Sequence, residues 1–180
     1  MPRVEISPTL PVQGRGRGVG TGALPGRAME SFEFQLVVNC PLETVFAVYV
    51  DIDRWRNRNL FGEIRWAQGK PWEPGSRLRI ETRHPIRSTI DQVVQQFVAN
   101  ERVTYISHVF GITCETQVSF VAASAEETAI NVGMQLVGTV SRALGFAIEP
   151  AIEKATKGFF DDLRRECEAA RRTASEGAAG

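Results

Sequence analysis

Histidine and cysteine are scarce in this chain. Two histidines, His84 and His108, and three cysteines, Cys40, Cys114 and Cys167, are scattered over 180 residues with no CxxC spacing. Such a set suits neither a zinc site nor a disulfide framework. Free thiols of this kind point to a reducing cytoplasm. Excess charge is lacking too. With 21 Lys+Arg against 21 Asp+Glu, there is no long-range pull toward nucleic acid or an anionic membrane. No apolar run reaches the roughly 18 residues that a membrane span needs. There is also no phosphate-binding loop, Ser-His-Asp arrangement or paired-carboxylate motif. The expectation is a protein with no cofactor, no metal, no nucleic-acid partner and no membrane span.

What is present suits one globular domain with some chain to spare: 43% hydrophobic and 23% charged residues. Residues 1–30 are rich in Gly, Pro and Arg and follow neither the helix nor the strand period, so they read as a disordered tail. No apolar stretch follows their basic residues, so they are no secretory signal. GRGRG (residues 14–18) is the one RNA-binding candidate, on only two arginines. Met29, just before the first patterned segment, is a candidate start. The domain is expected over 31–172, with 173–180 a second short tail.

From Ser31 the pattern is regular. SFEFQLVVN (31–39) alternates, with Phe32, Phe34, Leu36 and Val38 on one face, and reads as a half-buried strand. Pro41 then opens a short helix carrying Val45, Phe46 and Tyr49, where a missing N–H is harmless. A second helical turn surrounds Trp55. FGEIRWAQ (61–68) is a strand bearing Trp66, and GKPWEPG (69–75) is a stiff turn around Trp72. In SRLRIETRH (76–84), Leu78, Ile80, Thr82 and His84 share one side, while Arg77, Arg79, Glu81 and Arg83 share the other as a solvated row. Residues 88–98, 102–110, 113–123 and 128–138 complete a run of antiparallel strands, with a turn candidate at Asn100-Glu101 and SAEE (124–127) joining the last two. The facing of 88–98 and 102–110 is open on parity alone.

The last third is helical. Leu144, Ile148, Ile152, Ala155, Phe159, Leu163 and Cys167 draw one apolar stripe. Gly145 and Pro150 predict a short helix or turn near 140–147 and a main helix from about 149–150 to 172. The layout is α+β: a strand, two short helices, about six more strands and one long helix. A helix about 10 Å across cannot fill the concavity of a strongly curved six- to seven-stranded sheet. Space for a ligand between helix and sheet follows.

Several pieces, in order, resemble the START-like (SRPBCC, helix-grip) superfamily and its polyketide cyclase/dehydrase-like, lipid-binding members. They are VVNCPLETVFAVYVDIDRW, the turn GKPWEPGSRLRI and LVGTVSRALGF leading into the last helix. The likeness covers about Ser31 to Ala170. It implies a sheet wrapped around the C-terminal helix and a deep apolar pocket for a lipid, polyketide-like or other hydrophobic small molecule. The superfamily includes pure binders and aromatase/cyclases, and fold does not choose between them. The arginine and aromatic hydroxyl set of the cyclases has no residue-by-residue match, because the arginines of 77–83 point outward.

Parity therefore nominates as ligand-facing Phe34 and Leu36; Trp66; Leu78, Ile80, Thr82 and His84; Cys114, Thr116, Val118 and Phe120; Val132 and Met134; and Ile152 and Phe159. Asp91 and Gln92 are each candidates for one polar contact. Binding or carriage of a hydrophobic ligand, by a monomer or homodimer, is the reading that needs nothing more. The enzyme reading, a cyclase or dehydrase, needs a converging acid/base pair. His84 with Tyr105 or Asp91 is the candidate, histidine being the side chain that titrates near neutrality.

Overall fold

The computed structural model describes residues 28–55, 60–83, 87–109, 111–138 and 142–177. Strand β1 (Ala28–Val38) leads into helices α1 (Leu42–Val50) and α2 (Ile52–Trp55). Strands β2 (Phe61–Gln68), β3 (Arg77–Thr82), β4 (Ser88–Val98), β5 (Arg102–Val109), β6 (Ile112–Ala122) and β7 (Thr128–Gly138) follow, then helix α3 (Arg142–Gly177). The seven strands form one antiparallel sheet in the order β1-β7-β6-β5-β4-β3-β2. The α+β layout read from the sequence is the one observed. Register shifts interrupt the β1–β7, β2–β3 and β4–β5 ladders; irregularities of this kind bend strands and help a sheet to curve.

Local chemistry accounts for the turns. Pro41 sits at the N-cap of α1, one position before the first turn proper. Val45 N–H donates to its carbonyl (3.1 Å), and Thr128 Oγ1–H donates to Cys40 O (2.8 Å), tying the start of α1 to β7. The β2–β3 turn places Gly69 and Gly75 at φ 76° and 87°. At Gly69 a Cβ would come within 3.0 Å of Ser76, so only glycine fits there. Trp72 shares the left-handed region at φ 64°, which is rare for a bulky residue. Its indole is held by neighbours that over-determine the strain.

Those neighbours explain the tryptophans. Trp72 Nε1–H donates to Val50 O and Trp55 Nε1–H to Tyr49 O, each at 2.8 Å. A helix leaves its last carbonyls without partners, and here two indoles satisfy them at the end of α1. The rings of Tyr49, Trp55, Trp66, Trp72, Phe97 and Phe159 then pack at centroid distances of 5.1–6.0 Å. With Phe46 and Phe120 at 5.2 Å, they fill one half of the sheet's inner face.

Helix α3 departs from expectation at both ends. It is continuous from Arg142 to Gly177, with Pro150 inside it. Pro150 is exposed, so the local bend a proline imposes on a helix is made on the solvent side. The helix also runs five residues past Arg172, so residues 173–177 belong to it. Of the tail expected over 1–30, residues 28–30 belong instead to β1, where pairing with β7 holds them, and 1–27, including GRGRG, lie outside the described residues. Phe159, Phe160, Leu163 and Cys167 form the buried stripe of α3. The C-terminal half is pinned by Arg54–Glu166 (2.8 Å), Arg171–Glu126 (3.1 Å) and Asn39–Glu168 (3.2 Å). Among the described residues no helix is long and apolar enough to cross a membrane.

Candidate functional site

The stripe of α3 changes character along its length. Toward the C-terminus it carries Phe159, Phe160, Leu163 and Cys167, and the space beneath is packed. One turn earlier it carries Ala151, Ile152, Ala155 and Thr156, and there a cavity of about 210 Å³ opens between the helix and the sheet. Small residues at i and i+4 share one helix face, so Ala151 and Ala155 leave room where a leucine would have closed it.

The opposite wall is built by cross-strand rows. Pairing sets Ile80 beside Ile90 and Leu78 beside Gln92. It then sets Gln92 beside Ser107, Ser107 beside Cys114, and Tyr105 beside Thr116. Ile80, Ile90, Gln92, Tyr105, Ser107 and Val109 line the cavity from β3, β4 and β5, and Cys114, Thr116 and Met134 from β6 and β7. Trp55, Leu60 and Phe61 lie at one end and Thr82 and Ser88 also face in. Facing is thereby decided on the two strands that parity left open: Gln92 and Val94, and Tyr105, Ser107 and Val109, point inward.

The wall is mostly apolar with a polar seam. The Tyr49 and Thr116 hydroxyls neighbour that of Tyr105, and Thr116 Oγ1 lies 3.5 Å from Cys114 Sγ. Burial pushes the Cys114 thiol up to about 11, against a smaller opposing effect of the Thr116 hydroxyl. Burial also raises Tyr105, helped by the nearby Cys114 and opposed by the neighbouring Tyr49 and Thr116 hydroxyls. Both groups keep their protons at neutral pH and act as neutral hydrogen-bonding groups. No carboxylate, imidazole, lysine or arginine lines the cavity among the described residues. The arrangement can hold and orient a molecule.

The nominated residues divide into those at the cavity and those elsewhere. Ile80, Thr82, Gln92, Tyr105, Cys114, Thr116, Met134, Ile152 and Phe159 are at its wall. Leu78, Val118, Phe120 and Val132 are instead buried in packed core, at 0–3% exposure. Alternation identified their face, but α1 covers the Phe120 end of β6, with Phe46 and Tyr49 rings 5.2 and 5.1 Å away. Phe34 and Leu36 pack against that core, with Phe34 edge-on to Phe160 at 5.7 Å. Trp66 packs on Trp72 rather than on the cavity. Asp91 is on the outer face, half-exposed and paired with Arg79 at 2.9 Å, so it is removed from any inward acid/base pair. His108 is exposed on the same face, its Nδ1 3.2 Å from Thr113 Oγ1. His84 lies outside the described residues; β3 ends at Thr82. Trp55, Ile90, Ser107, Ala151 and Phe160 were not nominated at all. The fall from Phe and Leu to Ala along α3 was the readable signal for the last turn of that group.

With the geometry in hand, comparison with solved structures is informative. The chain superposes on Zhui aromatase/cyclase from Streptomyces sp. R1128 with a TM-score of 0.70 at 13% identity, covering 81% of this chain and 98% of that one. Ara h 8.0201 gives 0.66 at 13%, covering 78% and 98%. A START superfamily protein from Mycobacterium smegmatis gives 0.65 at 12%, covering 78% and 98%. The fold these structures share with the chain is the helix-grip fold. At such identities the helix-grip likeness speaks for fold alone. No known family model matches the chain, and no curated protein matches it.

Proposed function

We propose that this helix-grip protein binds a hydrophobic small molecule between α3 and the sheet without transforming it. The observation that carries this reading is the cavity of about 210 Å³ beneath Ala151 and Ala155, apolar except for a few neutral polar groups. Binding sites are typically concave and mostly apolar, with a small number of placed polar groups. The named structural neighbours support it at the level of the fold, one being called an aromatase/cyclase and another a START superfamily protein. A cyclase or dehydrase role would need an acid/base pair, and the described wall offers hydroxyls and a thiol held neutral by burial.

Two measurements test this. Native mass spectrometry of gently purified protein should show a co-purifying mass that organic extraction releases as an apolar compound. Ala155→Trp, which places an indole in the cavity, should abolish that mass while thermal unfolding stays cooperative. Retention of the adduct by Ala155→Trp would place the ligand elsewhere and end the proposal.

A further inference from the structure

Gln92 stands out among the groups at the cavity wall. It is only 3% exposed, and its Nε2 has no hydrogen-bond partner among the described residues. Elsewhere in the seam hydroxyls and a thiol neighbour one another: Tyr105 beside Tyr49 and Thr116, and Cys114 Sγ 3.5 Å from Thr116 Oγ1. The residue beside Gln92 across the β4–β5 ladder is Ser107, whose side chain also faces the cavity. Directly cross-strand residues stand about 5 Å apart, so one ligand atom can reach both.

A buried amide left unpaired is costly, and native structures rarely keep one without a reason. The reason here is written in the surroundings. The amide offers both N–H donors and a carbonyl acceptor, and the serine a hydroxyl that does either. No charged side chain lines the cavity among the described residues, so a carboxylate or ammonium entering it would lose its water with no countercharge to offset the loss. The size is also informative. A cavity of about 150 Å³ holds benzene, and about 210 Å³ between the helix and the sheet accommodates one or two rings.

We propose that the occupant is a neutral molecule of one or two rings bearing a hydroxyl or carbonyl oxygen, and that Gln92 and Ser107 together hydrogen-bond that oxygen. This rests on the cavity being a ligand site. It narrows the ligand to a class: phenol- or ketone-bearing ring compounds, not fatty acids.

Naphthalene, naphthol and naphthoate separate the elements of the proposal, since they share a ring system and differ in the polar group. Dissociation constants are measured near neutral pH for the natural protein and for Gln92→Leu, Gln92→Met and Ser107→Ala, with thermal melts confirming that each variant folds. One hydrogen bond corresponds to about three- to tenfold in affinity. Naphthol is expected to bind about that much more tightly than naphthalene, and naphthoate at least about tenfold more weakly than naphthol. Gln92→Leu and Gln92→Met should reduce naphthol's advantage to under about twofold, while naphthalene binds no more weakly; Ser107→Ala should reduce it in part. If the naphthol-to-naphthalene ratio is the same in the natural protein and both Gln92 variants, the amide is served by water and the anchor is refuted. Naphthoate binding as tightly as naphthol refutes the neutral-ligand claim. In both cases naphthalene binding that Ala155→Trp removes leaves the cavity itself standing as a binding site. If none of the three probes binds, the cavity reading fails and the narrower one falls with it.

Discussion

Replacing Gln92 with leucine should make the ligand-free protein more stable, the reverse of what core substitutions usually do. The side chain is 97% shielded, its Nε2 is unpaired among the described residues, and Leu78 and Ile90 are close by in the sheet. An unpaired buried amide costs about 1–3 kcal/mol. Leucine is of similar size, so it opens little new space, and it adds apolar burial. A gain of about 1–2 kcal/mol follows after allowing for the change of shape. For a chain of this length about 1 kcal/mol moves Tm by about 2–4 °C, so Tm should rise on the order of 2–8 °C. Scanning calorimetry on delipidated, ligand-stripped protein is the assay. Leu78→Ala, at the fully buried neighbour across the β3–β4 ladder, is the reference and should lose about 2–5 kcal/mol. If Gln92→Leu lowers Tm by more than about 2 °C, the amide is well satisfied in solution and the reasoning is wrong. A rise would mark Gln92 as a residue kept at the expense of stability, as residues serving a site commonly are.

Other consequences are as direct. Because burial pushes the Cys114 thiol up to about 11 from 9.0, the folded chain keeps a proton that the unfolded chain releases. The stability this contributes is full below about pH 9 and is lost as pH rises through about 11, in total about 2–3 kcal/mol. Cys114→Ala should flatten the unfolding free energy across that interval, measured by urea titration at each pH. Phe160, 1% exposed and stacked on Tyr49 at 6.1 Å, should cost about 3–5 kcal/mol when replaced by alanine; a loss under about 1 kcal/mol in urea would show that α3 is not held there. Asn100 has φ 60°, so Asn100→Val should destabilise by about 1–2 kcal/mol, while Asn100→Gly stays within about half of one.

The fold was open to reading because its signals are local. Alternation marks a strand wherever one face is buried, and Gly69 and Gly75 announce the turn that their positive φ requires. The site was harder. Leu78, Ile80 and Thr82 alternate identically, yet only Ile80 and Thr82 reach the cavity. Gln92 sits in a strand with apolar residues on both faces, so no periodicity could place it; pairing with Leu78 and Ser107 does so. Asp91, its neighbour in sequence, turns outward to Arg79 for the same reason.

By itself the sequence determined that there would be a sheet with one apolar face, a long helix to cover it, and more face than one helix can cover. It also carried, in Ala151 and Ala155, the place where the helix thins. Only the tertiary structure decided which part of that face is filled. Tyr49, Trp55 and Trp72 are brought together because two indoles cap the end of α1, and their rings fill part of the concavity up to the cavity wall. A side chain's face is set by its own strand. Whether that face meets a ring, a ligand or a void is set by segments far away in the chain, through register and packing that no local period encodes.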